Sequence, residues 1–318
     1  MTKKISIGIS SCLIGNNVRF NGGNCHKSYI TGEYSNYFDY KVVCPEVEAG
    51  LGVPREAMFL VRDITTNVFL VKTSKSNKDV TDDITNAAKN ILSNLDQVYG
   101  FILKTKSPIC GVMTARVFNH EHKYTMVKDD GIFVKALREY DPLLPLEDEG
   151  KLTNKVLRDH FLRKVFCYYD LKTRLLACKN ISELMEYHST HKILLRLHNN
   201  LIKKELGRML SSHDSCDIDK LKRSYTEIFM RAIQAPVSRN RHYMALQNVL
   251  REINKNISKS QRSYLQQILV QYKDSKLSWD VPVGIIKMHL LDIDLPYLDK
   301  QSYLNPYNEG LILSSIEN

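Results

Sequence analysis

Cys12, Cys44 and Cys110 each come where a run of strand-forming residues gives way to a loop: Lys4-Ile5-Ser6-Ile7-Gly8-Ile9-Ser10-Ser11-Cys12, Tyr40-Lys41-Val42-Val43-Cys44, and Phe101-Ile102-Leu103 with its continuation to Cys110. In an open parallel sheet the strands point one way, so residues that follow three strand ends meet in one crevice, where such sheets place ligands. Three thiolates in one crevice suggest a metal centre. Their separations of 32 and 66 positions do not match the closely paired ligands of a zinc knuckle. A cubane iron–sulfur cluster suits them better, since three protein thiolates would leave one iron open to substrate. The pattern alone equally allows three small buried hydrophobes.

The neighbours of these cysteines carry chemistry of their own. Cys44 opens Pro45-Glu46-Val47-Glu48-Ala49-Gly50-Leu51-Gly52-Val53-Pro54-Arg55; Pro45 fixes the turn, the glycines permit close backbone approach, and Arg55 adds a fixed positive charge. Glu46 and Glu48 thereby stand close to a thiolate. Ser107 places a hydroxyl three residues before Cys110. Cys25 lies near the first motif, whereas Cys167, Cys178 and Cys216 fall in or beside helical segments and read as packing or surface thiols. An odd total of seven cysteines without regular spacing argues against a disulfide framework.

The elements that must position these groups change character along the chain. Strand patterns at 4–11, 40–44, 67–72 and 97–103 alternate with turns and with a helix after Asp79, in which Ile84, Ala87, Ala88, Ile91, Leu92 and Leu95 recur at helical spacing. Strand, helix and strand over 67–103 predict a βαβ unit. The first half therefore reads as an α/β domain with a mainly parallel sheet and Rossmann-like layering. Leu143 to Gly150 ends this pattern with a proline, an acidic run and a glycine. Beyond it, helical spacing dominates at 153–170, 181–211, 217–234, 240–256 and 258–273. The expected organisation is an α/β domain over 1–150 and an all-α domain over 151–318. A single helix over 181–211 would carry His188, His191 and His198 on one face, read as a packed or interface face rather than a metal site. Ser238-Arg239-Asn240-Arg241-His242 at a helix start is a candidate anion site.

The net charge of +10 is unevenly placed, because residues 1–150 hold 18 basic and 18 acidic side chains and residues 151–318 hold 27 and 17. A basic half of this kind is an electrostatic footprint for nucleic acid, or simply a solvated surface. The N-terminus lacks the apolar stretch of a secretory signal, and no apolar run approaches the roughly 18 residues of a membrane span; the expectation is a cytoplasmic protein.

Taken in order, Cys12-Leu13-Ile14-Gly15 through Arg19-Phe20-Asn21-Gly22, Cys44-Pro45-Glu46 through Val53-Pro54-Arg55, Asp79-Val80-Thr81 and Ser107-Pro108-Ile109-Cys110-Gly111 resemble the thiouracil desulfidase family over about the first 140 residues. The second half resembles the helical domain of unknown function in YbgA-type proteins, at Tyr187-His188-Ser189-Thr190-His191-Lys192, Leu206-Gly207-Arg208 and Tyr297 to Pro306. The stretches 130–137 and 145–150 are similar to the junction of that fusion. The resemblance implies that Cys12, Cys44 and Cys110 hold a [4Fe-4S] cluster with one iron not ligated by protein, which takes the sulfur of a thiolated pyrimidine. It further implies acid–base roles for Glu46 and Ser107, with sulfide and the oxygen analogue as products. The substrate would be 2-thiouracil or a thiolated nucleoside. Two departures stand out: the family usually has a serine where this chain has Ile109, and relatives of the helical part usually carry a histidine and a glycine shortly after the position of Asn248, where Leu250-Arg251-Glu252-Ile253 continues as plain helix. Two other classes fit the residues: an RNA-binding or tRNA-modification-related protein that uses the basic helical half, and a scaffold with a structural metal.

Overall fold

Ile5, Ile7 and Ile9 alternate with small residues, and all three are buried in a strand, β1 (Ile5–Ser10), at the centre of a four-stranded sheet. In the computed structural model, which describes residues 4–63, 68–119, 121, 123–212 and 217–306, β1 is flanked by β2 (Phe38–Val43) and β5 (Phe101–Leu103), with β8 (Leu146–Asp148) outside β5. Every pairing in this sheet is parallel, so β1, β2 and β5 end on one edge. Gly8 makes the β1–β5 approach work: a Cβ there would fall 1.9 Å from the Phe101 ring, inside any van der Waals contact. The expected parallel α/β region is therefore observed.

A second sheet has no counterpart in the sequence reading. It takes β3 (Met58–Arg62), β4 (Phe69–Thr73), β6 (Ala115–Phe118) and β7 (Tyr124–Asp129) in the order β4-β3-β6-β7, with two antiparallel pairings and one parallel one. The strand expected at 67–72 belongs here rather than beside β5, and Asn67 lies outside the described residues. Helix α3 (Thr81–Ser93) thus leads from one sheet to the other and does not close a βαβ unit. The reason is local: Leu60 pairs with Val71 in an antiparallel ladder, and Thr81 Oγ1 accepts the Val71 N–H at 2.8 Å, which fastens β4 to the start of α3. Strand β7, with most of its residues exposed, lacks the half-buried alternation by which a strand is recognised.

Short helices α1 (Ser28–Thr31) and α2 (Pro45–Glu48) precede α3, and α4 (Ile132–Tyr140) and α5 (Lys155–Asp170) follow it. The chain divides into two compact units, one running to Tyr168 and the other from Tyr169. Most of α5 belongs to the first, where Phe166 packs on Phe38 with ring centroids 6.1 Å apart.

The second unit is helical: α6 (Ile181–Thr190), α7 (Lys192–His198), α8 (Asn200–Ser211), α9 (Ile218–Ala232), α10 (Arg239–Ile253), α11 (Lys259–Lys273), α12 (Asp280–Leu290) and α13 (Pro296–Asp299). The single helix expected over 181–211 is three, broken at His191 and at Asn199. Asn199 is extended and its side chain caps α8 by accepting the Leu201 and Ile202 N–H groups, a competition with helix continuation that Asn is built to win. The three histidines consequently do not share a helix face. No helix among the described residues is long and apolar enough to cross a membrane.

Candidate active site

Each cysteine is presented by a different kind of turn at the carboxyl edge of the parallel sheet. After β1 the chain tightens into a 3-10 turn over Ser11–Ile14 that carries Cys12, and the Cys25 N–H donates back to the Cys12 carbonyl at 2.8 Å. After β2, Cys44 occupies the N-cap position of α2 with Pro45 in the first turn, where a missing N–H costs nothing. The Cys44 thiol lies 3.5 Å from Glu46 Oε2. The third cysteine comes later, seven residues after β5 ends at Leu103, in a loop closed by Ser107. The Ser107 hydroxyl oxygen accepts the N–H groups of Ile109 at 3.1 Å and Cys110 at 3.0 Å.

That loop is docked on the start of α4. The Ile132 N–H donates to the Pro108 carbonyl and the Phe133 N–H to the Ile109 carbonyl, which satisfies donors that a helix start leaves open. Gly131 permits the approach, since a Cβ would lie 2.3 Å from the Ile109 carbonyl oxygen. The Ile109 side chain is completely buried, and it is absent from the wall of the cavity described next. The position at which the desulfidase family usually has serine thus serves the core in this chain.

Cys12, Cys44, Cys110, Glu46 and Ser107 all line one cavity of about 350 Å³, so the structure brings together the five residues named from the sequence. Arg55 lines it too, its Nη2 lying 3.8 Å from Glu46 Oε1. Two further residues of the cavity wall, Ser10 and Lys104, and a third behind them, Glu149, were not singled out from the sequence. Ser10 Oγ accepts the Lys104 N–H at 3.1 Å and hydrogen-bonds the Cys110 thiol. Lys104 donates its ammonium to Glu149 at 2.5 Å, and Glu149, which is 2% exposed, also accepts the Thr105 N–H at 2.6 Å. The available signal was position: Ser10 ends β1, Lys104 directly follows β5, and Glu149 directly follows β8.

The electrostatics of the cavity resist thiolate formation. Burial, then Cys25 and Glu46, push the Cys12 thiol up to about 12, with Lys104 pulling the other way. Burial and Glu46 push Cys44 up to about 11. Fully buried Cys110 is raised well above the usual range by burial first and then Glu46, with the Ser10 hydrogen bond opposing. A cationic group is the natural compensation, because thiol ligands lose their protons on metal binding. Among the described residues no three His, Cys, Asp or Glu groups cluster closely enough to hold a single metal ion. Three soft thiols spaced around a cavity suit instead a multinuclear iron–sulfur group, which takes each thiolate on a different iron.

The other candidates fall elsewhere. Cys25 is half-buried and does not line the cavity; Cys167 and Cys178 are buried, in keeping with a packing role, and Cys216 lies outside the described residues. His188, His191 and His198 are all buried: His188 Nδ1 lies 3.0 Å from the Tyr225 hydroxyl, and His191 Nε2 lies 3.2 Å from Asp170 Oδ2. The basic segment at the start of α10 directs its guanidiniums at carbonyls, Arg239 at those of Tyr272 and Leu277 and Arg241 at that of His198.

No curated protein matches the chain. A solved structure of a [4Fe-4S]-dependent thiouracil desulfidase, TudS, is 24% identical to it over 49% of this chain and 97% of that one, with a TM-score of 0.37. Residues 7–149 match the family model of 2-thiouracil desulfurase, and residues 192–308 match the model of a protein of unknown function, DUF1722. The cysteine cavity accordingly lies within the residues that match the 2-thiouracil desulfurase model, and the DUF1722 match follows it along the chain.

Proposed function

We propose that the chain is an iron–sulfur-dependent desulfidase that hydrolyses the C=S bond of a thiolated pyrimidine, 2-thiouracil or a thiolated nucleoside, to the oxygen analogue and sulfide. The carrying observation is the convergence of three buried thiols, a carboxylate and a hydroxyl on one cavity of about 350 Å³ within the 2-thiouracil desulfurase region. Cys12, Cys44 and Cys110 would hold a [4Fe-4S] cluster. Such a cluster, when bound, supplies an iron not ligated by the protein, which acts as a Lewis acid and sulfur acceptor.

The remaining chemistry belongs to side chains. Glu46, between Cys44 and Arg55, takes the proton of the water that attacks the ring carbon. Ser107 uses its oxygen to accept two backbone N–H groups, which leaves its own proton free to donate toward the ring nitrogen or the departing sulfur. Lys104, held by Glu149, offsets negative charge at Cys12. One water and one C=S group give one C=O group and hydrogen sulfide.

The excess basic charge of residues 151–318 favours one extension, that this half holds a thiolated base within tRNA by its phosphates, with residues 1–150 as the chemical domain.

Sulfide release from 2-thiouracil and 2-thiouridine by anaerobically reconstituted protein tests the proposal, with iron and inorganic sulfide measured on the same samples. The parent should hold both elements and release sulfide. Cys110→Ala should lose iron, and Glu46→Ala should keep it while turnover falls by roughly 100-fold or more. Iron-free parent protein, or equal release by all three, would overturn the assignment.

A further inference from the structure

Ser10 ends β1 and is buried at the wall of the cysteine cavity. A hydroxyl carries one proton and two lone pairs. The Lys104 backbone N–H, 3.1 Å from Ser10 Oγ, can only donate, so it takes a lone pair of that oxygen and leaves the Ser10 proton for another partner. That partner is the Cys110 sulfur, with which Ser10 shares a hydrogen bond. While Cys110 is a thiol either group can donate; once it is a thiolate only Ser10 can.

The chain around Cys110 spends its own donors elsewhere. The Ile109 and Cys110 N–H groups go to Ser107 Oγ at 3.1 and 3.0 Å, and that of Gly111 goes to the Ser107 carbonyl at 2.9 Å. The Val112 N–H goes to Asp148 at 3.2 Å and the Met113 N–H to Asp130 at 2.8 Å. The other two sulfurs are served differently: Cys44 has the backbone N–H of Val47, and Cys12 has the charge of Lys104. A buried thiolate without a donor is costly, and Cys110 is 3% exposed.

We propose that Ser10 is a positioning residue of the iron–sulfur site, whose hydroxyl donates to the Cys110 sulfur and sets how firmly and with how much electron density that ligand binds iron. This deepens the cluster assignment made above and rests on it. A hydrogen bond to a cysteine sulfur draws charge from the ligand and raises the reduction potential of the cluster it holds. The same withdrawal leaves iron a better acceptor for a substrate sulfur. One hydroxyl thereby joins the ends of β1 and β5 to the third cysteine.

The test uses the full chain, anaerobically reconstituted, with iron and sulfide measured on every sample. Redox titration followed by electron paramagnetic resonance should give Ser10→Ala a more negative potential than the parent. Its turnover of 2-thiouracil should fall roughly tenfold or more. Ser10→Thr, which keeps the hydroxyl, should return the potential to that of the parent. In the reduced parent, exchange into D2O should reveal a strongly coupled exchangeable proton that Ser10→Ala lacks. An unchanged potential in Ser10→Ala, or the same exchangeable proton in both proteins, overturns the role of Ser10 while leaving the cluster assignment intact. A Ser10→Thr variant shifted as far as Ser10→Ala assigns the effect to packing and overturns the role as well. A parent that binds no iron overturns the cluster assignment itself, and the inference with it. If Ser10→Ala fails to fold, the parent decides, since a reduced cluster without a strongly coupled exchangeable proton removes the inference.

Discussion

At the scale of single residues, the site depends as much on what stands behind the cysteines as on the cysteines. Gly131 is the clearest case, since any side chain there meets the Ile109 carbonyl at 2.3 Å and the Cys110 N–H nitrogen at 2.9 Å. Gly131→Ala must push the Cys110 loop off the start of α4 or distort both. We expect a loss of about 1–3 kcal/mol in urea unfolding together with reduced iron uptake on reconstitution; unchanged uptake would show that the loop tolerates the shift. The cysteines, Glu46 and Ser107 were legible in the sequence because their chemistry is specific to their residue types. Gly131 was visible only as part of a motif, and its contact with Ile109 spans more than twenty positions, a distance that no local pattern encodes. Ile109 was legible as a departure from the family, but its fully buried side chain, which keeps it out of the cavity wall, was not.

At the scale of elements, three strand ends supply three differently built turns, and the third needs outside support because it lies furthest from its strand. Part of that support comes from the end of β8. Asp148, fully buried, accepts the Val112 N–H at 3.2 Å and the Thr114 hydroxyl at 2.8 Å, which ties the chain just beyond Cys110 to the sheet. Asp148→Ala leaves the buried Val112 N–H and the half-buried Thr114 hydroxyl without that acceptor, so an unfolding free energy lower by about 1–3 kcal/mol is expected. Asp148→Asn keeps an acceptor oxygen and should recover part of it in the same urea titration; equal losses for the two variants would assign the effect to packing. The parallel sheet was legible from buried apolar runs and from helices between them. The second sheet was not, because β7 is mostly exposed and β6 is only four residues long, leaving little periodicity to read. The helix over 181–211 failed for a related reason: its apolar spacing persists through His191 and Asn199, while the breaks are made by a side-chain cap and by tertiary partners.

At the scale of the whole molecule, acid should weaken the helical unit through one buried histidine, and the chain contains its own reporter. The only tryptophan is Trp279, in the helical unit, where its indole N–H donates to the Tyr303 hydroxyl at 3.1 Å. His188 is buried in that unit among Tyr225 of α9, His191 and Lys192 at the start of α7, and Lys203 of α8. Burial first, then the charges of Lys192, His191 and Lys203, lower its pKa from 6.5 to about 4. Between these two values the unfolded chain binds a proton at His188 that the folded chain refuses, so stability rises with pH across the window. It is fully present above about 6.5 and is lost as the pH falls toward 4, by on the order of 3 kcal/mol at most. Urea unfolding followed by Trp279 fluorescence should therefore show a midpoint that falls steadily from pH 7 to pH 4.5. His188→Gln, which cannot take up the proton, should lower stability at pH 7 and flatten that slope. A variant that kept the parent's full pH dependence would remove His188 as its origin.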